Sequence, residues 1–289
     1  MKSKEYSAIL FAILAAALYA ISSPVSKILL KEIPPTLMAG LLYLGAGLGM
    51  LVVAFIKRKN SNEQKEARLT KKQLPFIVSM VVLDIIAPIF LMIGLTTATA
   101  ANVSLLNNFE IVATSLIALF IFKETISKRL WVAIILITLA SIILSVEDFS
   151  SFSFSMGSVF VLFACISWGF ENNCTRMLSS KDPLEIVIIK GFGSGLGSLL
   201  VAFILKEQSN NIAYILGALV LGVFAYGFSI FFYVYAQREL GAAKTSAYYA
   251  IAPFIGTALS IIIFREKITI SFVIALFIMI AGAYLASKT

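Results

Sequence analysis

The sequence predicts an all-α membrane protein: ten transmembrane helices, arranged as two inverted five-helix repeats around a central cavity. Three observations carry this expectation. Apolar residues make up 60% of the 289-residue chain and charged residues 13%, where soluble domains carry about 25% charged residues. The apolar residues fall into ten runs of membrane-spanning length. One stretch of the first half returns in the second, an odd number of spans later.

Each run has the roughly 20 residues that a helix rising 1.5 Å per residue needs to cross the hydrocarbon. In order they are Tyr6–Leu30, Pro35–Ile56, Gln73–Leu95, Ala98–Phe122, Lys128–Val146, Ser155–Leu178, Pro183–Leu205, Asn211–Arg238, Ala242–Phe264 and Thr269–Ser287. The first run is too long for a signal peptide and lacks a small-residue cleavage site, so it reads as a retained span. Most connections are short, which makes sequential helices antiparallel neighbours. The exception, Lys57–Lys72, is polar with charges of both signs and reads as a solvated loop.

Charge sets the orientation. Of the 23 Lys and Arg residues, Lys190 lies within a span and only Lys27, Lys31, Lys206, Arg265 and Lys267 fall on the outer side. The remaining seventeen fall inside if the N-terminus is cytoplasmic, a positive-inside asymmetry that puts both termini in the cytoplasm. This accounts for the net charge of +8 as lipid-facing topology charge, with no nucleic-acid partner implied. The expected location is a plasma membrane, the inner membrane in a bacterium.

The repeat comes next. Leu44–Ile56 reads LGAGLGMLVVAFI and Phe192–Ile204 reads FGSGLGSLLVAFI, nine of thirteen positions being identical. Phe122-Lys123-Glu124-Thr125-Ile126-Ser127 is echoed by Phe264-Arg265-Glu266-Lys267-Ile268-Thr269, Pro34 by Pro183 and Lys27 by Arg176. Residues 1–150 thus form a first repeat of five helices and 151–289 a second. Five is odd, so the second copy enters the membrane upside down, an arrangement that puts a site near mid-depth where either half can open it. Gly45/Gly49 and Gly193/Gly197 have the small-residue spacing that lets helices approach closely.

Polar groups inside the spans mark that site, because an ionised side chain in the hydrocarbon costs about 2.5–3.5 kcal/mol on insertion scales unless paired or wetted. The third span carries Asp84 and then Pro88, which permits a bend. The fourth carries Asn107, Asn108 and Glu110; Asn107, Glu110 and Thr114 lie within roughly 60° on one stripe. The sixth carries Trp168, Ser167, Glu171, Asn172 and Thr175, and the seventh Lys190. Glu171 is about 7.5 Å from Arg176 along its helix, which puts it level with Lys190 on the adjacent antiparallel span. The two are expected to face each other, as cavity groups or as a purely structural pair. The asparagines suit either the cavity or an interhelical clamp. The ninth span offers Ser246, Tyr248, Tyr249, Pro253, Gly256 and Ser260; Tyr226, Tyr233 and Tyr235 on the eighth either line the same space or pack.

These stretches together resemble the drug/metabolite transporter superfamily, of the EamA repeat type, over nearly the whole chain. The resemblance rests on Trp168-Gly169, Glu171-Asn172-Asn173-Cys174-Thr175-Arg176, Asp182-Pro183-Leu184 leading to Lys190-Gly191, Gly241-Ala242-Ala243-Lys244-Thr245, Ala252-Pro253-Phe254-Ile255-Gly256 and Arg265-Glu266. Tyr19-Ala20 departs from the Trp-Gly more usual in the first repeat. The resemblance implies a secondary transporter of small metabolites, often an exporter, with a cavity lined by spans 1, 3, 4, 6, 8 and 9.

The function expected is alternating-access transport, as an exporter, of small polar or amphipathic metabolites such as amino acids, without a cofactor. No P-loop motif is present, so ATP is not the direct energy source. Glu110 and Glu171 are the candidates for proton coupling. A facilitator or channel is the alternative, though no filter or charge ring is visible. An intramembrane enzyme using Glu110 and Glu171 as a carboxylate pair is the other, against which stand their unlike neighbours and the lack of any nucleophile constellation. No histidine occurs, which removes the commonest metal ligand, and Cys165 and Cys174 are too far out of phase to bridge. The partners expected are a small-molecule substrate and the lipid bilayer, with the chain a monomer or homodimer.

Overall fold

The computed structural model describes residues 2–59, 67–123, 125–148, 153–240, 245 and 248–287. Glu124, Ser246 and the stretch Gly241-Ala242-Ala243-Lys244 lie outside the described residues. The described residues form helices joined by short connections, apart from one short antiparallel ribbon of β1 (Val146–Asp148) and β2 (Ser153–Phe154). The helices are α1 (Lys2–Ala20), α2 (Ser22–Leu29), α3 (Pro35–Lys59), α4 (Leu74–Thr97), α5 (Ala100–Leu106), α6 (Phe109–Phe120) and α7 (Lys128–Ser145). They continue as α8 (Met156–Leu178), α9 (Pro183–Ile204), α10 (Ile212–Leu221), α11 (Ser229–Leu240), α12 (Ala252–Phe264) and α13 (Ile270–Ser287), with a π-helical segment, Gly222–Phe228, joining α10 to α11.

Among the described residues, eight helical runs are long and apolar enough to cross a bilayer: Glu5–Leu29, Pro35–Lys57, Lys71–Thr97, Ala100–Phe120, Lys128–Ser145, Pro183–Ile204, Ile212–Leu240 and Ile270–Ser287. Helix α8 has 23 residues, but Glu171, Asn172, Asn173 and Arg176 dilute its apolarity. Helix α12 is apolar but has 13 residues. The chain is therefore a multi-span helical bundle whose two least membrane-like helices both reach its interior.

Helix starts follow local chemistry. Ser127, Asp182 and Asn211 cap α7, α9 and α10 by accepting from Leu130, Leu184 and Tyr214 N–H groups, which satisfies donors a helix start leaves unpaired. The interruptions are equally local. The first span breaks at Ile21, between α1 and α2, because the Pro24 ring has no N–H for the Ala20 carbonyl four residues back and crowds it. The fourth breaks at Asn107–Asn108, where the Asn108 amide nitrogen donates to the Leu105 carbonyl at 3.1 Å, a side chain competing with the helical ladder. Pro253 does in the ninth what Pro24 does in the first, and α12 begins only at Ala252.

Helix α3 crosses α9, α4 runs along α8, α1 along α11, α5 beside α12 and α7 beside α13. The α3–α9 crossing is a backbone contact: a Cβ on Gly191 would stand 2.3 Å from the Gly47 Cα, so Gly191 admits no side chain, and a Cβ on Gly47 would press on the Phe192 nitrogen at 3.0 Å. Gly45 and Gly197 serve the flanks of those two helices, against the Leu219 carbonyl and Ile85. Outward faces are apolar, with Phe203 80%, Ile270 81% and Phe277 67% exposed, a surface that lipid covers.

Candidate functional site

Inside the bundle the polar residues converge. Lys190 on α9 lies between two carboxylates, 3.3 Å from Asp84 Oδ2 on α4 and 2.5 Å from Glu171 Oε1 on α8. Asp84, Glu171 and Lys190 are 0%, 3% and 3% exposed. Tyr43 on α3 donates its hydroxyl to Asp84 Oδ1 at 2.8 Å, and Thr175, one turn along α8, donates to Glu171. The carboxylate–ammonium–carboxylate bridge thus ties three helices, and each acid has a neutral donor as well as the cation. Desolvating such groups costs several kcal/mol per ion, which only close geometry and added hydrogen bonds offset. Pro88 sits four residues past Asp84 within α4, so its missing N–H leaves the Asp84 backbone carbonyl without its helical donor.

Glu110 is treated differently. It stands in the first turn of α6, just after the Asn107–Asn108 break, and is half-buried. Its Oε1 accepts from the Asn172 side-chain amide at 2.6 Å, and the same amide lies 3.3 Å from Thr114 Oγ1. Among the described residues no Lys or Arg forms an ion pair with it. Two acids are met by a cation, the third by an amide.

All three acids border one chamber, which shares part of its lining with a larger cavity. A chamber of about 80 Å³ is lined by Tyr19, Tyr43, Asp84, Glu110, Trp168, Glu171, Asn172, Lys190, Tyr226, Tyr233 and Tyr249 among others. A larger cavity of about 290 Å³ shares Tyr19, Glu110, Asn172, Tyr233 and Tyr249 with it, and passes Asn107, Asn108 and Thr114 to reach Thr125, Arg176, Gln237 and Ser287. Those last four residues lie at helix ends on one face of the bundle, so the void runs from that face to mid-depth. Aromatic rings wall the junction: Tyr19 meets Trp168 edge-on at 6.4 Å, Tyr226 at 5.9 Å and Tyr249 at 5.9 Å, while Tyr233 meets Tyr249 at 4.8 Å. Asn108 Oδ1 and Gln237 Oε1 are buried beside the larger cavity with no hydrogen-bond partner among the described residues. A water or a bound solute is the natural partner for such atoms.

At the other face charged side chains tie helix ends together. Lys27 donates to the Leu95 and Ala98 carbonyls, the latter at 2.9 Å, and Glu266 accepts from the Ala100 and Ala101 N–H groups at 2.9 and 3.0 Å. Nearby, Glu207 accepts from Leu37 N–H at 2.8 Å.

Of the residues singled out in the sequence, Asp84, Glu110, Trp168, Glu171, Asn172, Lys190 and Tyr249 border the inner chamber, and Asn107 and Asn108 the cavity leading to it. Tyr248 lies outside both linings and is 37% exposed. Sequence reasoning left out Tyr43, which brings the second span into the lining, and assigned Tyr19 no role. Tyr43 stands one residue before the glycine-rich repeat, and that adjacency was the signal available. Lys27 and Glu266 read in the sequence as topology charges and repeat markers; their backbone partners are tertiary. No group of three metal-ligating side chains occurs among the described residues.

Three comparisons bear on these observations. An uncharacterized transporter of Methanothermobacter thermautotrophicus is 27% identical over 292 residues, covering 94% of this chain and 84% of that protein. A chain of known crystal structure superimposes with a TM-score of 0.68 at 17% identity, over 97% of this chain and 95% of the other, a likeness of fold. The EamA-like transporter family matches residues 6–146 and again residues 155–288. Its members are transporters and not enzymes. This chain is a multi-pass membrane protein belonging to the EamA-like transporter family, within the drug/metabolite transporter superfamily.

Proposed function

We propose that the chain is a secondary active transporter that exports small polar or amphipathic metabolites, amino acids among them, by alternating access. The observation that carries this is the cavity: it runs from one face to Glu110, where it shares its lining with the chamber that reaches Asp84 and Glu171, while Lys27 and Glu266 tie helix ends together at the opposite face. A channel needs a path open at both ends at once, so the tied face favours a carrier.

In this reading the bundle has ten spans in two inverted halves, residues 1–150 and 151–289. The helix pairs support it. Spans two and seven meet through α3 and α9, four and nine through α5 and α12, five and ten through α7 and α13, and the three–six pair α4–α8 is mirrored by the eight–one pair α11–α1. Each pair maps onto itself or another when the halves are exchanged. Lys123 and Arg265, matched in the repeat, share the left-handed backbone at φ 58° and 50°. The family also matches twice, once per half.

Both termini are assigned to the cytoplasm and the protein to the plasma membrane on the asymmetry of Lys and Arg, which makes the open cavity inward-facing. Glu110 is the proton-exchanging acid, because it faces the cavity and holds no cation; Glu171 is the second candidate. Lys190, bracketed by two carboxylates, anchors them and leaves the substrate to Glu110, Asn172, Asn107, Asn108 and the rings of Tyr19, Trp168 and Tyr249. An ammonium on Glu110 and an apolar side chain against those rings match an amino acid. In proteoliposomes, uptake of a labelled L-amino-acid panel should saturate and should accelerate under an imposed pH gradient. Folded protein that moves none of them, with or without the gradient, would count against this function.

A further inference from the structure

The turn between α4 and α5 is held by two charged side chains from distant parts of the chain. Lys27, on α2, donates to the Leu95 and Ala98 carbonyls, at the end of α4. Glu266, between α12 and α13, takes the Ala100 N–H on Oε1 and the Ala101 N–H on Oε2. The carbonyls that end a helix and the N–H groups that begin one have no partners within it. A cation on the first set and a carboxylate on the second also suit the polarity of helix ends. One short turn therefore binds α2 on one side and the α12–α13 connection on the other, at the face where the cavity is closed.

We propose that Lys27 and Glu266 are the two halves of a releasable latch, which keeps the outer mouth shut by gripping the 95–101 backbone and lets go of it in the outward-open state. The inference rests on the alternating-access reading. Two features of the seam argue for release over a permanent cap. Helix α5 has a cap of its own, Thr99 Oγ1 accepting from the Asn102 N–H at 3.2 Å, so its start survives the loss of Glu266. The seam also holds unsatisfied polar atoms: Ser26 Oγ on α2 and Ser104 Oγ on α5 are buried without a hydrogen-bond partner among the described residues. A backbone approach brings Gly256 of α12 against the Ala20 carbonyl and Ser104 Oγ. When such an interface parts, water satisfies the two hydroxyls, which offsets part of the cost of opening. The charged contacts, with the Thr257 hydroxyl on the Ala101 carbonyl, oppose that opening.

The test needs no substrate. Spin labels on Thr96→Cys and Lys267→Cys, both at exposed positions, report the width of the seam in nanodiscs by pulsed electron resonance, while the native Cys165 and Cys174 are buried. The parent should give one short distance. Lys27→Met with Glu266→Gln should raise a longer population by about tenfold or more, the effect of losing charge-assisted hydrogen bonds in one of two states. Lys27→Arg should keep the parent distribution. Glu266→Gln alone retains an acceptor oxygen, disturbs folding least and should show the same shift in smaller measure. A folded double variant with the parent distribution, its melting temperature merely lowered, would make these side chains static caps and overturn the latch. The flux assay judges the transport reading separately.

Discussion

Two acidic regions share one void and meet their charge in opposite ways. Asp84 and Glu171 close on Lys190, and Tyr43 and Thr175 add a hydrogen bond to each. Glu110 has a single amide, from Asn172, and an open path to one face. The first arrangement fixes three helices against one another and is costly to disturb. The second leaves an acid whose charge is met only when something enters the cavity. A carrier needs both, a rigid element to organise the pocket and a group free to exchange its partner.

The comparison breaks most visibly at Lys190. Replacing it by Met leaves two carboxylates facing each other in a buried cluster, and removing one partner of a buried pair costs about 3–5 kcal/mol. The variant should be recovered poorly and melt well below the parent in detergent. Adding Asp84→Asn and Glu171→Gln should restore much of the loss, since the uncompensated charge is then gone. A Lys190→Met variant as stable as the parent would mean the cluster is not what ties α4, α8 and α9.

A smaller effect is expected at Asn172. Changing it to Ala removes the hydrogen bond at Glu110 and should cost about 1–3 kcal/mol if that carboxylate stays charged. The pH dependence of transport should change with it, whereas the parent profile in this variant would detach Asn172 from Glu110. Smallest is Tyr43→Phe, which takes one donor from Asp84 while Lys190 remains; about 1 kcal/mol in a melting experiment is expected. A loss rivalling that of Lys190→Met would invert the ranking of the two contacts.

Much of this was legible in the residues. Charge within apolar runs named Asp84, Glu110, Glu171 and Lys190, and antiparallel register put the last two at one depth; they lie 2.5 Å apart. The proline breaks were not read: Pro88 was the one credited with a bend, yet α4 runs through it, while the breaks come with Pro24 and Pro253 in spans expected to be continuous. The division of labour between the acids was not legible, because it depends on which carboxylate Lys190 reaches across three helices, and Asp84 is 106 residues away from it in sequence. Nor could Lys27 and Glu266 be paired with the 95–101 turn, since their partners are backbone groups that carry no residue signature. Tyr43 stayed hidden because a tyrosine beside a glycine row reads as packing until the helix it faces is known.

The central claim is that Glu110 is the acid that exchanges its proton through the cavity. Proteoliposomes loaded with a pH-sensitive dye, and offered a panel of L-amino acids, test it most directly by comparing the parent with Glu110→Gln at matched melting temperature. Amino-acid-dependent proton movement in the parent, lost at least tenfold in the variant, is the predicted result; equal proton movement in both would contradict it.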